Sequence, residues 1–229
     1  MKKVLFPISV DSKDFTSEIT ISGLKHITPN YECIVFMIAD SLQIYNKAKQ
    51  IISGKPFETI IKEFRARNKY FEERIKWLDK ISAQTDVKPS TSTWEYIKAE
   101  SMCDKYFYRI YKLLVINYHT DETFKSDIEK AAVSHLRKHN KEFDKRELYL
   151  NTLYIIEEIA LNLRIKLWLN IYDEYYIGKY HKPMLKLYQG HYNISINDIC
   201  EKSSTEVFKF FEGNKFENNQ IQWKEKYAR

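Results

Sequence analysis

The segment Glu32-Cys33-Ile34-Val35-Phe36-Met37-Ile38-Ala39 runs almost without a polar residue and without alternation. A stretch of that length leaves no face for water, so it suits a strand of a parallel sheet covered on both sides. Parallel strands need long crossovers, which places the chain in the α/β class. Residues 3–9, Lys-Val-Leu-Phe-Pro-Ile-Ser, read as a second short buried strand that ends in a polar loop. Helical patterns are expected over 41–52, 56–82, 102–118, 122–142 and 146–168, with Pro56 near the start of the second. Residues 87–93 read as a loop, 94–97 as a short strand and 175–181 as a further strand, whereas the tail past 200 is polar with an amphipathic patch. The expected strand at 32–39 stops at Asp40-Ser41, and ligands often sit at such carboxyl ends.

At 229 residues and 44% hydrophobic, the chain can build one sizeable core. With five glycines, five prolines and no repeat or low-complexity segment, a single domain spanning 1–229 is the economical reading. Three scattered cysteines, Cys33, Cys103 and Cys200, argue against a disulfide framework or a structural zinc site. The apolar run after Met1-Lys2-Lys3 is too short for a signal peptide, and no stretch approaches a membrane span. A cytoplasmic protein with no membrane partner is expected. The net charge of +6 and the pI near 8.9 are compatible with a polyanionic partner, but many proteins carry as much.

The distribution of that charge is more informative. On the helix expected over 56–82, Phe57, Ile60, Phe64, Phe71, Ile75 and Leu78 share one face. Lys62, Arg65, Lys69, Lys76 and Lys80 fall roughly opposite, interrupted by Glu58 and Glu73. The stripe is either an ordinary solvated face or a track for a phosphate backbone. Arg137, Lys138, Lys141, Lys145 and Arg146 form a second, weaker basic cluster. On the 146–168 helix, Tyr154, Glu158, Leu161 and Ile165 share a face, whereas Glu157 lies about 100° away. A carboxylate one turn from a phenol can hold an ammonium and relay protons; the plainer alternative is a satisfied tyrosine beside a surface glutamate. His135 and His139 have helical i,i+4 spacing, but Leu136 stands where a zinc hydrolase needs its glutamate, so no metal is expected. Dinucleotide and Walker phosphate fingerprints, a Gly-x-Ser-x-Gly elbow and class I synthetase adenylate signatures are all missing, and nothing points to nucleotide activation or a cofactor.

Three segments in order resemble the tRNA-dependent cyclodipeptide synthases. In Phe6-Pro7-Ile8-Ser9-Val10-Asp11-Ser12, Ser9 matches the nucleophile, while Ser12 stands where many members carry Asn. Tyr154 and Glu158 match a Tyr-x-x-x-Glu signature, and Tyr180-His181 matches a Tyr-His pair after that helix. The segments 38–43 and 94–97 also look like family landmarks, so the resemblance spans residues 3 to 183. Members without the Asn commonly carry Pro after the tyrosine, so Ser12 and His181 point to different subfamilies.

The resemblance implies a Rossmann-like α/β fold with a mainly parallel sheet flanked by helices, similar to the catalytic domain of class I tyrosyl- and tryptophanyl-tRNA synthetases. It implies two aminoacyl-tRNAs as substrates, the basic stripe as a tRNA-binding surface, a monomer, and no cofactor, metal or ATP. Ser9 would take the first aminoacyl group, and a second aminoacyl-tRNA would extend it to a dipeptidyl-enzyme. Tyr154 and Glu158 would hold the α-amino group, with Glu158 also a proton acceptor. Tyr180 would relay protons as the diketopiperazine closes, supported by His181. Leu5, Pro7, Ser12 and Leu161 would lie near the first amino-acid pocket. Two other readings stay open: a non-catalytic RNA-binding module of the same fold, and a serine-dependent acyltransferase for small esters.

Overall fold

The computed structural model describes residues 2–9, 22–26, 28–39, 45, 48–56, 58–60, 62–63, 76, 88–93, 105–139, 142–171, 173–177, 182–194, 199, 208–215 and 221–228. Six strands form one sheet: β1 (Lys3–Ser9), β2 (Cys33–Ala39), β3 (Lys88–Thr93), β4 (Asp173–Ile177), β5 (Phe208–Lys215) and β6 (Ile221–Ala228). Their order across the sheet is β3-β2-β1-β4-β5-β6. All neighbours are parallel except β5 and β6, which form an antiparallel edge. Among the described residues, the helices whose two ends are defined are α1 (Ala48–Ile52), α2 (Lys105–Thr120), α3 (Glu122–His139), α4 (Lys145–Leu169) and α5 (Lys182–Tyr188).

The strand order reverses at β1. The chain builds outward through β2 and β3, crosses by α2, α3 and α4, and returns on the other side of β1 as β4. Such a reversal leaves a crevice outside the carboxyl ends of the two strands that flank it. β1 pairs with β2 along its whole length, from Lys3↔Cys33 to Ser9↔Ala39, but with β4 only at Val4↔Asp173 and Leu5↔Glu174. Pro7 lies just past that short ladder and has no N–H with which to extend it. Both faces of β1 and β2 are covered: Val4, Leu5, Phe6 and Ile8 are buried, as is every residue from Cys33 to Ile38. The uninterrupted apolar runs therefore mark the central strands.

Helix α4 is the structural axis. Asp144 caps its N-terminus by accepting from the backbone N–H groups of Arg146 and Glu147, and Glu147 reciprocates to the Asp144 N–H. Asn170 ends it in the left-handed conformation (φ 53°). Between these stops Ile155, Ile156, Ile159, Leu163 and Ile165 pack into a core shared with α2, α3, α5 and the sheet. The turn at 170–171 then reverses the chain into β4, so α4 runs antiparallel to the strands.

Lys166 and Glu174 form an ion pair across that reversal, each with no exposed side-chain surface. Asn162 Nδ2 also donates to Glu174 at 3.3 Å, and the Lys166 ammonium donates to the Tyr188 hydroxyl at 3.1 Å. Burial pushes the Lys166 pKa below its ordinary value, and Glu174 opposes that shift. The pair ties α4, β4 and α5 together. At the amino ends of the strands Asp173 accepts from the Tyr31 hydroxyl at 2.5 Å and faces Lys2 at 3.6 Å.

Several expectations change. Residues 88–93 form β3, not a loop: a polar Lys-Pro-Ser-Thr-Ser-Thr strand is tolerated because it lies on the sheet edge. The segment 94–97 lies outside the described residues. Within the expected 41–52 helix the described helix is Ala48–Ile52. Within 56–82, Pro56 is not helical, residues 58–60, 62–63 and 76 are helical, and the others lie outside the described residues. The expected 175–181 strand is described as Asp173–Ile177. Helix α5 follows it, and the unplaced tail supplies β5 and β6.

Removing one partner of the buried pair, as in Glu174→Leu or Lys166→Met, leaves an uncompensated buried charge. Each single variant should lose about 3–5 kcal/mol in urea denaturation, while the double variant should recover most of that loss. Additive losses in the double variant would contradict the pairing.

Candidate active site

Ser9 is the last residue of β1, at the carboxyl end of the strand where the order reverses. Simple rises show what stands opposite. Leu5 is level with Glu174, so the Ser9 backbone sits about 17 Å along the sheet from the start of β4. Glu158 lies twelve residues before Asn170 on the antiparallel helix, a rise of about 18 Å from the same end. Ideal rises therefore put the two backbone positions at about the same height, with Tyr154 a further turn along α4. Leu5 and Pro7 on β1 and Leu161 on α4 are buried beneath that level.

The two adjacent carboxylates of α4 meet different surroundings. Glu157 is only 5% exposed and accepts the Tyr45 hydroxyl at 2.6 Å. Burial raises the Tyr45 pKa, and the Glu157 charge and hydrogen bond raise it further. Tyr111 on α2 is raised for the same leading reason, with Glu157 next. Glu158 is half-buried and acts instead on Tyr176 of β4, whose pKa is raised by burial, then Glu158 and Glu174. These phenols stay neutral near pH 7 and are available as hydrogen-bond donors. The two carboxylates therefore act on different phenols: Glu157 accepts from Tyr45, while the Glu158 charge acts on Tyr176 of β4.

Tyr154 is buried among rings. Its ring centroid is 5.1 Å from that of His135 on α3 with an interplanar angle of 29°, and 5.8 Å from Tyr45 at 50°. His135 Nδ1 lies 2.9 Å from Asn151 Oδ1. His135, half of the rejected metal pair, is thus part of an aromatic and hydrogen-bonded cluster. Among the described residues no group of three or more His, Cys, Asp or Glu could hold a metal ion.

Of the basic stripe, Lys62 and Lys76 are exposed; Arg65, Lys69 and Lys80 lie outside the described residues. Ser12, Tyr180 and His181 also lie outside them, and the last two fall in the four-residue connection between β4 and α5. In the second cluster Arg137, Lys138, Lys145 and Arg146 are exposed about the α3–α4 connection. Tyr45, Tyr111, His135, Asn151, Glu157 and Tyr176 were not singled out as site residues by sequence. The signals that bear on them are Tyr45's place just after β2 and the i±3 spacing of Asn151 and Glu157 from Tyr154.

No protein-family profile matches the chain, and neither does any curated protein. Solved structures do. A cyclodipeptide synthase from Bacillus thermoamylovorans is 14% identical with a TM-score of 0.67, covering 86% of this chain and 85% of that one. A cyclodipeptide synthase from Candidatus Glomeribacter gigasporarum, solved bound to Phe-tRNAPhe, is 17% identical with a TM-score of 0.60, covering 83% and 84%. A Mycobacterium tuberculosis protein whose structure relates cyclodipeptide synthetases to type I tRNA synthetases is 10% identical with a TM-score of 0.57, covering 81% and 77%. The chain therefore has the Rossmann-like fold of the cyclodipeptide synthases. No helix among the described residues is long and apolar enough to cross a membrane.

The raised phenols set an alkaline limit. A folded pKa above the ordinary tyrosine value of about 10 gives stability that is complete below that pH and is lost as pH rises through the folded value. The stability margin of wild type over Tyr45→Phe should hold constant to about pH 9.5 and shrink above about pH 10 in urea titrations. A margin independent of pH would mean that the Tyr45 phenol titrates normally.

Proposed function

We propose that this chain is a tRNA-dependent cyclodipeptide synthase, an ATP-independent aminoacyltransferase that condenses two aminoacyl groups into a diketopiperazine through a seryl ester. One observation carries the reading. A serine ends the strand at the order reversal of a cyclodipeptide-synthase fold, and ideal strand and helix rises put the Tyr-x-x-x-Glu turn of α4 at about its height.

In the first transfer Ser9 Oγ attacks the ester carbonyl of one aminoacyl-tRNA. The Oγ–carbonyl bond forms, the ester bond to the terminal ribose breaks, and the serine proton ends on the ribose hydroxyl. Exchange of one ester for another needs little driving force, and splitting the reaction gives ping-pong kinetics. Tyr154 and Glu158 hold the α-amino group of the seryl-bound residue, and Glu158 takes its proton. The freed amine attacks the ester of the second aminoacyl-tRNA, so that an amide forms and the second tRNA leaves. Only attack by the enzyme-bound amine leaves the dipeptide on Ser9. The dipeptide's own amine then attacks the Ser9 ester, closing the ring and restoring the serine, with Tyr180 relaying the proton and His181 supporting it. Both later steps convert esters to amides and run downhill. Leu5, Pro7, Ser12 and Leu161 border the first amino-acid pocket.

Lys62, Arg65, Lys69, Lys76 and Lys80 bind the first tRNA through its phosphates, and the enzyme works as a cytoplasmic monomer. Neutralising the exposed pair Lys62 and Lys76 should weaken binding of charged tRNA and flatten its salt dependence by about one unit of log–log slope per lost contact. An unchanged slope removes these two lysines from the tRNA surface.

The deciding experiment is intact-protein mass spectrometry of wild type and Ser9→Ala with a pool of charged tRNAs, with small products collected. An aminoacyl adduct confined to wild type, together with cyclic dipeptides, is expected. Binding of tRNA with neither adduct nor product would leave a non-catalytic RNA-binding module.

A further inference from the structure

We infer that Tyr45 and His135 are positioning residues for Tyr154, each anchored to α4 one turn away from it, through Glu157 and Asn151 respectively. The inference rests on the proposed role of Tyr154 in holding the α-amino group.

Three residues of one helix and two rings from elsewhere build the arrangement. Asn151, Tyr154 and Glu157 are spaced i, i+3 and i+6, so they stack along one side of α4 within an arc of about 120°. His135 comes from α3 and Tyr45 from the segment after β2. The orientation of Asn151 is determinate: its Nδ2 donates to the Glu147 carbonyl at 3.2 Å, which turns Oδ1 toward His135. An amide oxygen only accepts, so His135 carries its proton on Nδ1 and donates at 2.9 Å. The bond fixes both the tautomer and the plane of the imidazole that stacks on Tyr154. At the other end, Tyr45 donates to the buried Glu157 carboxylate at 2.6 Å, a charge-assisted bond that sets the plane of the second ring. A single helix thereby presents the working phenol and both anchors of the rings that orient it. Slippage of α4 would carry all three together.

Holding an amine for attack demands sub-ångström placement, and a misplacement of about 1 Å can cost about a hundredfold in rate. Packing against two independently tethered rings restricts the phenol more than burial alone.

Two measurements test this. Tyr45→Phe and His135→Phe remove the group that tethers each ring, and Glu157→Gln removes the charge that strengthens the Tyr45 tether. Each should lower kcat for cyclic dipeptide formation by about ten- to a hundredfold while leaving KM for aminoacyl-tRNA within about twofold. In a Tyr154→Phe background the same changes should cost nothing further, because they act through the lost hydroxyl. Losses that persist in that background, or that fall on KM, overturn the inference. The second measurement needs no substrate: the ¹⁹F resonance of 3-fluorotyrosine installed at position 154 should move and broaden in Tyr45→Phe and in His135→Phe. An unmoved resonance overturns the positioning role even where activity falls. A resonance that moves in the variants, with a wild-type protein that makes no product, would preserve the tethering and sink the synthase reading instead.

Discussion

The parallel pairing of β1 with both β2 and β4 is the constraint on which the rest of the molecule depends. A strand with parallel partners on each side has no hairpin route to either, so every neighbour must be reached by a crossover. Both faces of β1 are consequently covered and its residues are apolar nearly throughout. Covering also leaves one place where a ligand can approach, the carboxyl end at which the strand order reverses. The chemistry proposed for Ser9 thus depends on a topological feature before it depends on any neighbouring side chain.

Helix α4 converts that constraint into a site. Its start is fixed by the Asp144–Glu147 capping box and its end by the left-handed Asn170, so its register against the sheet is defined from both termini. The buried Lys166–Glu174 pair then fastens the helix to β4 close to the turn. Burying two charges is costly, so the pair adds little net stability, but it links α4 to β4 in one alignment. Here the register matters, because sliding α4 by one turn would remove Tyr154 and Glu158 from the level of Ser9. Adjacent residues on the helix acquire different duties for the same reason. Glu157 accepts from Tyr45 and its charge acts on Tyr111, the Glu158 charge acts on Tyr176, and about 100° of helical rotation separates a structural carboxylate from a candidate catalytic one.

By itself the sequence determined the elements whose information is local. The buried strands at 3–9 and 32–39 follow from apolar runs, and the boundaries of α3 and α4 lie within a few residues of those implied by periodicity. It also supplied the order of Ser9, Tyr154 and Glu158 and the stripe that includes Lys62 and Lys76. The tertiary structure alone decided the rest. β3 carries no apolar signal because an edge strand needs only backbone partners, and β5 and β6 take their places by pairing with β4 and with each other. Tyr45 and Glu157 are 112 residues apart in the chain, and His135 and Asn151 belong to different helices. No periodicity relates such residues, since periodicity reports only which face of its own element a side chain occupies. Which ring meets which carboxylate is set by how the elements pack, and that is decided when α4 docks along the face of the sheet.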